Sequence, residues 1–340
     1  MPTISVIIPN YNRAGLIGET LDNVLAQSRA PDEVIVVDDG STDDSAAMIE
    51  RYGQRVTLIR QENRGPGAAR NRGLAAARGD LIQFMDSDDL WSLNKLEVQE
   101  RALEASGADF AYSPWLQARL EDGRALHAEP PIQQRLLPSA RSPLAWYLRG
   151  WVIVFQCCLF RRALLDTVGP YREDLMPSED SELLFRILKS GARSVHVPEA
   201  LVLYRLHGGE QISRGGMARQ RRARDWDRYV AVIDGHLAET GGLDAADRRH
   251  WRWQQFEAAR GLREAGVEPG AAVELGLASR LALGFDRTGR RIRGGLARRR
   301  GGSSFSPAFG AGPLDAHQKR LLQAIGYAAV QVSHADLDGT

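Results

Sequence analysis

The chain has 340 residues, a net charge of +1 and 43 % apolar residues, an ordinary soluble composition with ample length for a large core. No run approaches the ~20 apolar residues that span a bilayer, and the opening MPTISVIIPNYN lacks the basic region and apolar length of a signal peptide. The only cysteines, Cys157 and Cys158, are adjacent, which excludes an ordinary disulfide between them and a zinc site. A cytoplasmic protein is the expectation, with one large domain plus an extension or with two domains.

The first 115 residues alternate between short apolar runs and helical patterns. ISVIIP reads as a buried first strand and is followed by an amphipathic stretch, Gly15 to Ser28. EVIVVDD precedes a helix from about Asp43 to Tyr52, and VTLIR precedes a Gly/Ala-rich helix from about Gly67 to Ala77. LIQFMD precedes a helix from about Asn94 to Ala105, and ADFAYS closes the series. This alternation predicts an α/β fold with a mainly parallel sheet covered by helices. Ligands bind beyond the carboxyl ends of the strands in such sheets. Asn10, Tyr11 and Asn12, then Asp38 and Asp39, then Asn63 and Arg64, then Asp86 and Asp88 follow strands one to four in turn. Four polar sets are therefore expected at one sheet edge.

Residues 116–215 are less regular. PPIQQRLLPSARSP reads as a loop and Trp151 to Phe160 as a strand holding the two thiols. MPSEDSELLFRILKSGA reads as a helix starting near Ser178 or Glu179 and stopping at Gly191, and RSVHVPEALVLYRLH as strands. From about 216 the pattern is helical, interrupted by RTGRRIRGGLARRRGGSS. Seven arginines lie there between 287 and 300, with no acid among them. That segment reads as a solvated loop, with contact to an anionic membrane surface as the functional alternative. No RNA-binding motif accompanies it, so nucleic acid is not an expected partner. Nothing in the sequence addresses the oligomeric state.

Asp86 and Asp88 stand one residue apart at a strand end, where both can turn toward one hard cation. Mg²⁺ and Mn²⁺ take one or two carboxylates and complete their shells with phosphate oxygens. The alternative is capping of the next helix or a solvated loop. Asp38 or Asp39 can accept a hydrogen bond from a nucleotide, as the acid after strand two does in dinucleotide folds; Ser41, Thr42 and Asp43 can cap a helix. In ENRGPGAARNRG, Gly65 and Gly67 permit close backbone approach at a helix entrance, and Arg70 can fork onto a base carbonyl or a carboxylate. Trp91 suits either a cleft rim or the core. Glu179 and Asp180 suit either chemistry or the positive end of a helix.

Together VIIPNYN, VVDDGSTD, NRGPGAARNRGL, FMDSDD and SEDSELLFRIL, in this order and spacing, resemble the family 2 glycosyltransferases of GT-A fold. The resemblance covers about residues 3 to 210. It implies transfer of a sugar from a nucleotide-sugar, UDP being the commonest nucleotide, to an acceptor hydroxyl of a glycan or lipid-linked glycan, with inversion. It also implies that Pro9 and Tyr11 lie against the base, that Asp39 or Asp38 reads it and that Arg70 helps hold it. Asp86 would face the ribose and metal-bound water, Asp88 would ligate Mg²⁺ or Mn²⁺, and Asp180 would be the general base beside Glu179. YRLHGGEQIS resembles the family's closing segment, in which Arg205 meets phosphate and His207 the metal. The expected organisation is a GT-A domain over 1–215, with a nucleotide-binding half at 1–115 and an acceptor half at 116–215, and a helical extension over 216–340. The alternatives are a sugar-phosphate nucleotidyltransferase and a non-catalytic scaffold of the same fold.

Overall fold

A computed structural model describes residues 1–127, 132–133, 142–149, 153–208, 216–238, 244–264, 266, 310–311 and 314–331. Strand β1 (Ile4–Asn10) is rich in β-branched residues and buried almost throughout, as a strand covered on both faces must be. Helix α1 (Ile17–Leu25) turns Ile17, Leu21 and Val24 inward, an apolar stripe at helical spacing. Then come β2 (Glu33–Asp39), α2 (Ser45–Glu50), β3 (Thr57–Gln61), α3 (Pro66–Ala76), β4 (Leu81–Phe84), β5 (Leu90–Trp91), α4 (Lys95–Ser106) and β6 (Phe110–Tyr112). The next elements are β7 (Trp115–Glu121), β8 (Arg124–His127), β9 (Ile132–Gln133), α5 (Pro143–Tyr147), β10 (Cys158–Arg161), α6 (Arg162–Val168), α7 (Glu179–Lys189), β11 (Ser194–His196) and β12 (Val202–Leu206). Helices α8 (Gly216–Ala238) and α9 (Ala245–Glu264), strand β13 (Gly310–Ala311), a helix Ala316–Ala324 and β14 (Ala328–Gln331) complete the described elements.

The central sheet runs β11-β6-β10-β4-β1-β2-β3. Strands β1 to β4 are parallel, and β10 lies antiparallel between β4 and β6. The expected mainly parallel sheet is therefore present, with one reversed strand. Helix α3 sits close on β1 because its inner face is small. A Cβ on Gly73 would stand 2.3 Å from Ile7 Cγ2, so only glycine fits there. Both thiols are free and buried, as expected. Trp91 is fully buried and belongs to the core, not a cleft rim. Of the strand expected over Trp151 to Phe160, Phe155–Cys157 is a 3-10 turn, and pairing begins at Cys158.

A second sheet, β13-β9-β7-β12-β5 with β8 bridging β7 and β14, arises where the sequence reads as irregular. Its long pairing, Val202 to Leu206 alongside Trp115 to Arg119, joins segments far apart in the chain. The extension differs from the expected helical character in its last described residues. There β13 pairs with β9 and β14 with β8, while Leu314 and Leu322 pack with Leu90, Leu116 and Leu203. These short strands complete ladders that β8 and β9 would otherwise leave open. The Arg-rich segment 287–300 lies outside the described residues.

Candidate active site

The polar ends of β1 and β2 are tied together. Asn10 Nδ2 donates to Asp38 Oδ1 (2.9 Å), and the Ser41 hydroxyl donates to the same oxygen at 2.5 Å. Asp39 Oδ1 accepts from Gln61 Nε2 (2.7 Å) and the Arg64 backbone N–H (2.9 Å), and Oδ2 accepts from the Gly65 N–H (2.8 Å). Asp39 thus anchors the entrance of α3, where Gly65 has φ +90°. Pro9 is half-buried, while Tyr11 is 42 % exposed, an uncovered ring at the edge of this cluster.

Close approach at Gly65 and Gly67 does occur, toward the protein's own segment 172–179. A Cβ on Gly65 would meet Met176 Sδ at 3.0 Å, and one on Gly67 would meet the Arg172 carbonyl at 3.4 Å and Glu179 Cγ at 3.5 Å. The start of α7 is thereby laid across the start of α3, which brings Arg70 to the acidic pair. Arg70 Nη1 donates to Glu179 Oε1 (2.9 Å) and lies 3.4 Å from Asp180 Oδ1. Its Nη2 donates to Asp86 Oδ1 (2.8 Å), and the guanidinium lies over the Tyr171 ring, 5.4 Å from its centroid. The sequence reading allows Arg70 a base carbonyl or a carboxylate, and the family resemblance sends it to the base. In the structure its buried guanidinium is engaged by three carboxylates, which hold it charged against the cost of burial.

The three acids differ in exposure. The Glu179 side chain is 5 % exposed, Asp180 33 % and Asp86 34 %. Burial pushes the Glu179 carboxyl up to about 7, helped by repulsion from Asp180 and opposed by Arg70. Burial likewise raises Asp86, with Arg70 opposing it and Asp88 adding repulsion. Asp180 is therefore the more open member of its pair, with Glu179 packed beneath it.

Asp88 Oδ2 receives Arg13 Nε at 2.9 Å and stands 3.1 Å from His207 Nε2. Burial would raise this carboxyl, but the bonds from His207 and Arg13 outweigh it and the group is held below its ordinary value. Asp88 and His207, each expected at the metal, lie side by side, with Arg13 on the same carboxylate oxygen. Arg13 follows the polar triplet after β1, so its place at the sheet edge was the available signal. Among the described residues no group of three His, Cys, Asp or Glu side chains is placed to hold a metal ion. His207 Nε2 and Arg13 Nε both face Asp88 Oδ2, and Asp86 Oδ1 is taken by Arg70. Mg²⁺ and Mn²⁺ need only one or two carboxylates from a protein and complete their shells with phosphate and water.

Asp89, the third acid of the turn, has a different task. It is buried, accepts the Arg205 backbone N–H at 2.7 Å and the Gln156 side-chain amide, and so clamps β12 to the acidic turn. Burial drives its carboxyl far upward, with repulsion from Asp88 and Asp86 adding to it. The Arg205 guanidinium, expected on phosphate, is buried and pairs with Glu19 Oε2 at 2.7 Å. Tyr327, from the C-terminal segment, donates to the other oxygen of Glu19.

Residues 5–169 match the family described as glycosyl transferase family 2. The chain is 30 % identical over 275 residues to the succinoglycan biosynthesis protein ExoO of Rhizobium meliloti, covering 78 % of this chain and 75 % of that one. Among solved structures, TarS 1-349 of S. aureus in complex with UDP-GlcNAc superposes with a TM-score of 0.60 at 22 % identity, over 75 % of this chain and 72 % of that one. The mannosyltransferase PcManGT of Pyrobaculum calidifontis, in complex with GDP-Man and Mn²⁺, gives 0.53 at 21 % identity over 96 % and 86 %. These two likenesses are of fold, and they agree with the expected GT-A architecture. The chain spans 61 % of the length of another relative, the uncharacterized glycosyltransferase EpsJ of Bacillus subtilis. From the family match and the extent of the likeness to ExoO, the chain belongs to glycosyl transferase family 2.

Proposed function

We propose that this chain is a metal-dependent, inverting glycosyltransferase. It moves a sugar from a nucleotide-diphosphate sugar, with UDP the favoured nucleotide, to a hydroxyl of a glycan or lipid-linked acceptor in cell-surface polysaccharide synthesis. The likeness to a succinoglycan biosynthesis protein supports the polysaccharide setting, that to TarS bound to UDP-GlcNAc supports the UDP donor, and that to PcManGT bound to Mn²⁺ supports this ion. The observation that carries the reading is the Arg70 cluster, in which Asp180 is the partly exposed carboxylate beside a packed Glu179.

The base of the donor lies against Pro9 and the exposed Tyr11 ring, with Asp38 or Asp39 accepting from it. Asp86 faces the ribose, and Asp88, Asp86 and His207 would hold Mg²⁺ or Mn²⁺. A bound ion would supply positive charge to the departing diphosphate, and Arg205 would add to it only on release from Glu19. Arg70 holds Asp86, Glu179 and Asp180 in one group, which three like charges would not form unaided. Asp180 accepts the proton of the acceptor hydroxyl as the new bond forms, a contribution of roughly 10²–10⁴-fold. A single in-line displacement needs one such carboxylate and no covalent intermediate, so configuration inverts.

Among the described residues no helix is long and apolar enough to cross a membrane. Work on a lipid-linked acceptor at the cytoplasmic face would place the 287–300 arginines against anionic lipid.

The test is a panel of UDP-, GDP- and dTDP-sugars scored by nucleoside diphosphate release, with Mn²⁺ or Mg²⁺ and with EDTA. Release from one donor class, lost in EDTA and restored by metal, is the expected outcome. Full activity in chelator overturns the metal assignment, and pyrophosphate release overturns the transferase reading.

A further inference from the structure

Segment 174–178, which leads into the Glu179–Asp180 turn, is held by helix α8. Asp225, on α8, is 7 % exposed. Its Oδ1 accepts the Met176 backbone N–H at 2.8 Å, and its Oδ2 accepts the Ser178 N–H at 2.8 Å. One turn further on, Arg228 Nη1 donates to the Asp174 carbonyl at 2.6 Å. One face of α8 therefore fixes three backbone groups of this segment. Ser178 is the N-cap residue of α7, yet its hydroxyl makes no capping bond to the helix. A carboxylate from another helix binds the cap residue's own N–H instead. Hydrogen bonds from neutral N–H groups to an ionised carboxylate are the stronger kind, and a negative charge near a helix N-terminus is favourable.

We propose that Asp225 is a positioning residue for the general base. By holding the Met176 and Ser178 N–H groups it sets the direction in which the first turn of α7 presents Asp180, so α8 is part of the catalytic apparatus. The hydrogen bonds of the Asp225 carboxylate go to Met176 and Ser178, not to Asp38, Asp39, Asp86, Asp88 or His207. The nucleotide side of the site, built on Asp38, Asp39, Asp86 and Asp88, stands on other elements. Loss of Asp225 should thus separate turnover from donor binding, because a base misplaced by about 1 Å costs rate while ground-state binding is kept.

This inference rests on Asp180 being the base, so Asp180→Asn is measured alongside. The experiment compares wild type, Asp180→Asn, Asp225→Asn and Asp225→Ala in the full chain. It records UDP affinity with Mn²⁺ by calorimetry and turnover as UDP release from a UDP-sugar that the wild type uses. Asp225→Asn keeps the volume and one acceptor oxygen; Asp225→Ala keeps neither acceptor. The expected result is UDP affinity within about threefold of wild type for both, with turnover reduced about tenfold in Asp225→Asn and about 10²-fold in Asp225→Ala. Wild-type turnover in Asp225→Asn, or a parallel fall of UDP affinity and turnover, overturns the proposal. If Asp225→Ala does not fold, Asp225→Asn alone decides by the same criteria. If Asp180→Asn turns over normally, the base assignment fails and this proposal with it; if Asp180→Asn is inactive while both Asp225 variants are fully active, only this proposal fails.

Discussion

Arg70 Nη1 donates to Glu179 Oε1 at 2.9 Å, joining residues 109 positions apart in the chain. The bond ties α3, on the nucleotide half, to α7, which carries the acids proposed for acceptor chemistry. Both side chains are nearly buried, so removing one leaves the other charge without its partner inside the protein.

Stability should register this burial as a pH dependence. The Glu179 carboxyl, ordinarily near 4.5, is raised to about 7 by burial and by Asp180, against the pull of Arg70. The folded state then binds a proton that the unfolded chain releases, so stability declines as pH rises from about 4.5 to about 7. Glu179→Gln cannot titrate, whereas Asp86, Asp180 and Tyr171 around the same guanidinium remain in both proteins. The stability of Glu179→Gln relative to wild type is expected to rise across that window in urea titrations. An unchanged difference between about pH 5 and about pH 7 would contradict the burial argument.

Arg13 Nε pairs with Asp88 Oδ2 at 2.9 Å. Arg13→Ala should lower the stability of the metal-free protein by about 1–3 kcal/mol, the scale of a hydrogen bond to a charged group. Saturating Mn²⁺ should recover part of that loss, because ligand binding to the folded state stabilises it. Thermal melts with and without Mn²⁺ check this. An equal loss in both conditions would show that Asp88 does not meet the metal.

Gly73 tests the close seating of α3 on β1. Gly73→Ala places a methyl group 2.3 Å from Ile7 Cγ2 inside the core. The gain in helix propensity is smaller than the overpacking cost, so a net loss of about 1–3 kcal/mol is expected from denaturant titration. Wild-type stability would mean that α3 can move outward freely.

The first half of the fold was legible because its apolar runs are local signals. Ile4 to Ile8 and Val34 to Val37 announce buried strands, and their polar followers announce a ligand edge. The second sheet was not legible, since β5 and β9 have two residues each and β12 pairs with β7 across a long stretch of chain. The acidic pairs could be read as candidates, but their division of labour could not. Exposure separates Asp180 from Glu179, and pairing separates Asp88 from the buried Asp89, and neither follows from spacing. Gly65 and Gly67 signalled a close approach correctly, but nothing local identified segment 172–179 as the approaching group. Asp225 carries no local pattern at all, because its partners are two backbone N–H groups in a distant loop.

The most direct measurement is turnover of Asp180→Asn against its affinity for UDP with Mn²⁺, set beside Glu179→Gln. Asp180→Asn should fold and bind UDP within a few-fold of wild type, while turnover falls by roughly 10²-fold or more, the scale of a lost general base. Glu179→Gln should be milder, because its carboxyl is buried on Arg70 and its stem lies over Gly67. Near-normal turnover in Asp180→Asn, whether or not Glu179→Gln is inactive, would contradict the assignment of Asp180 as the base.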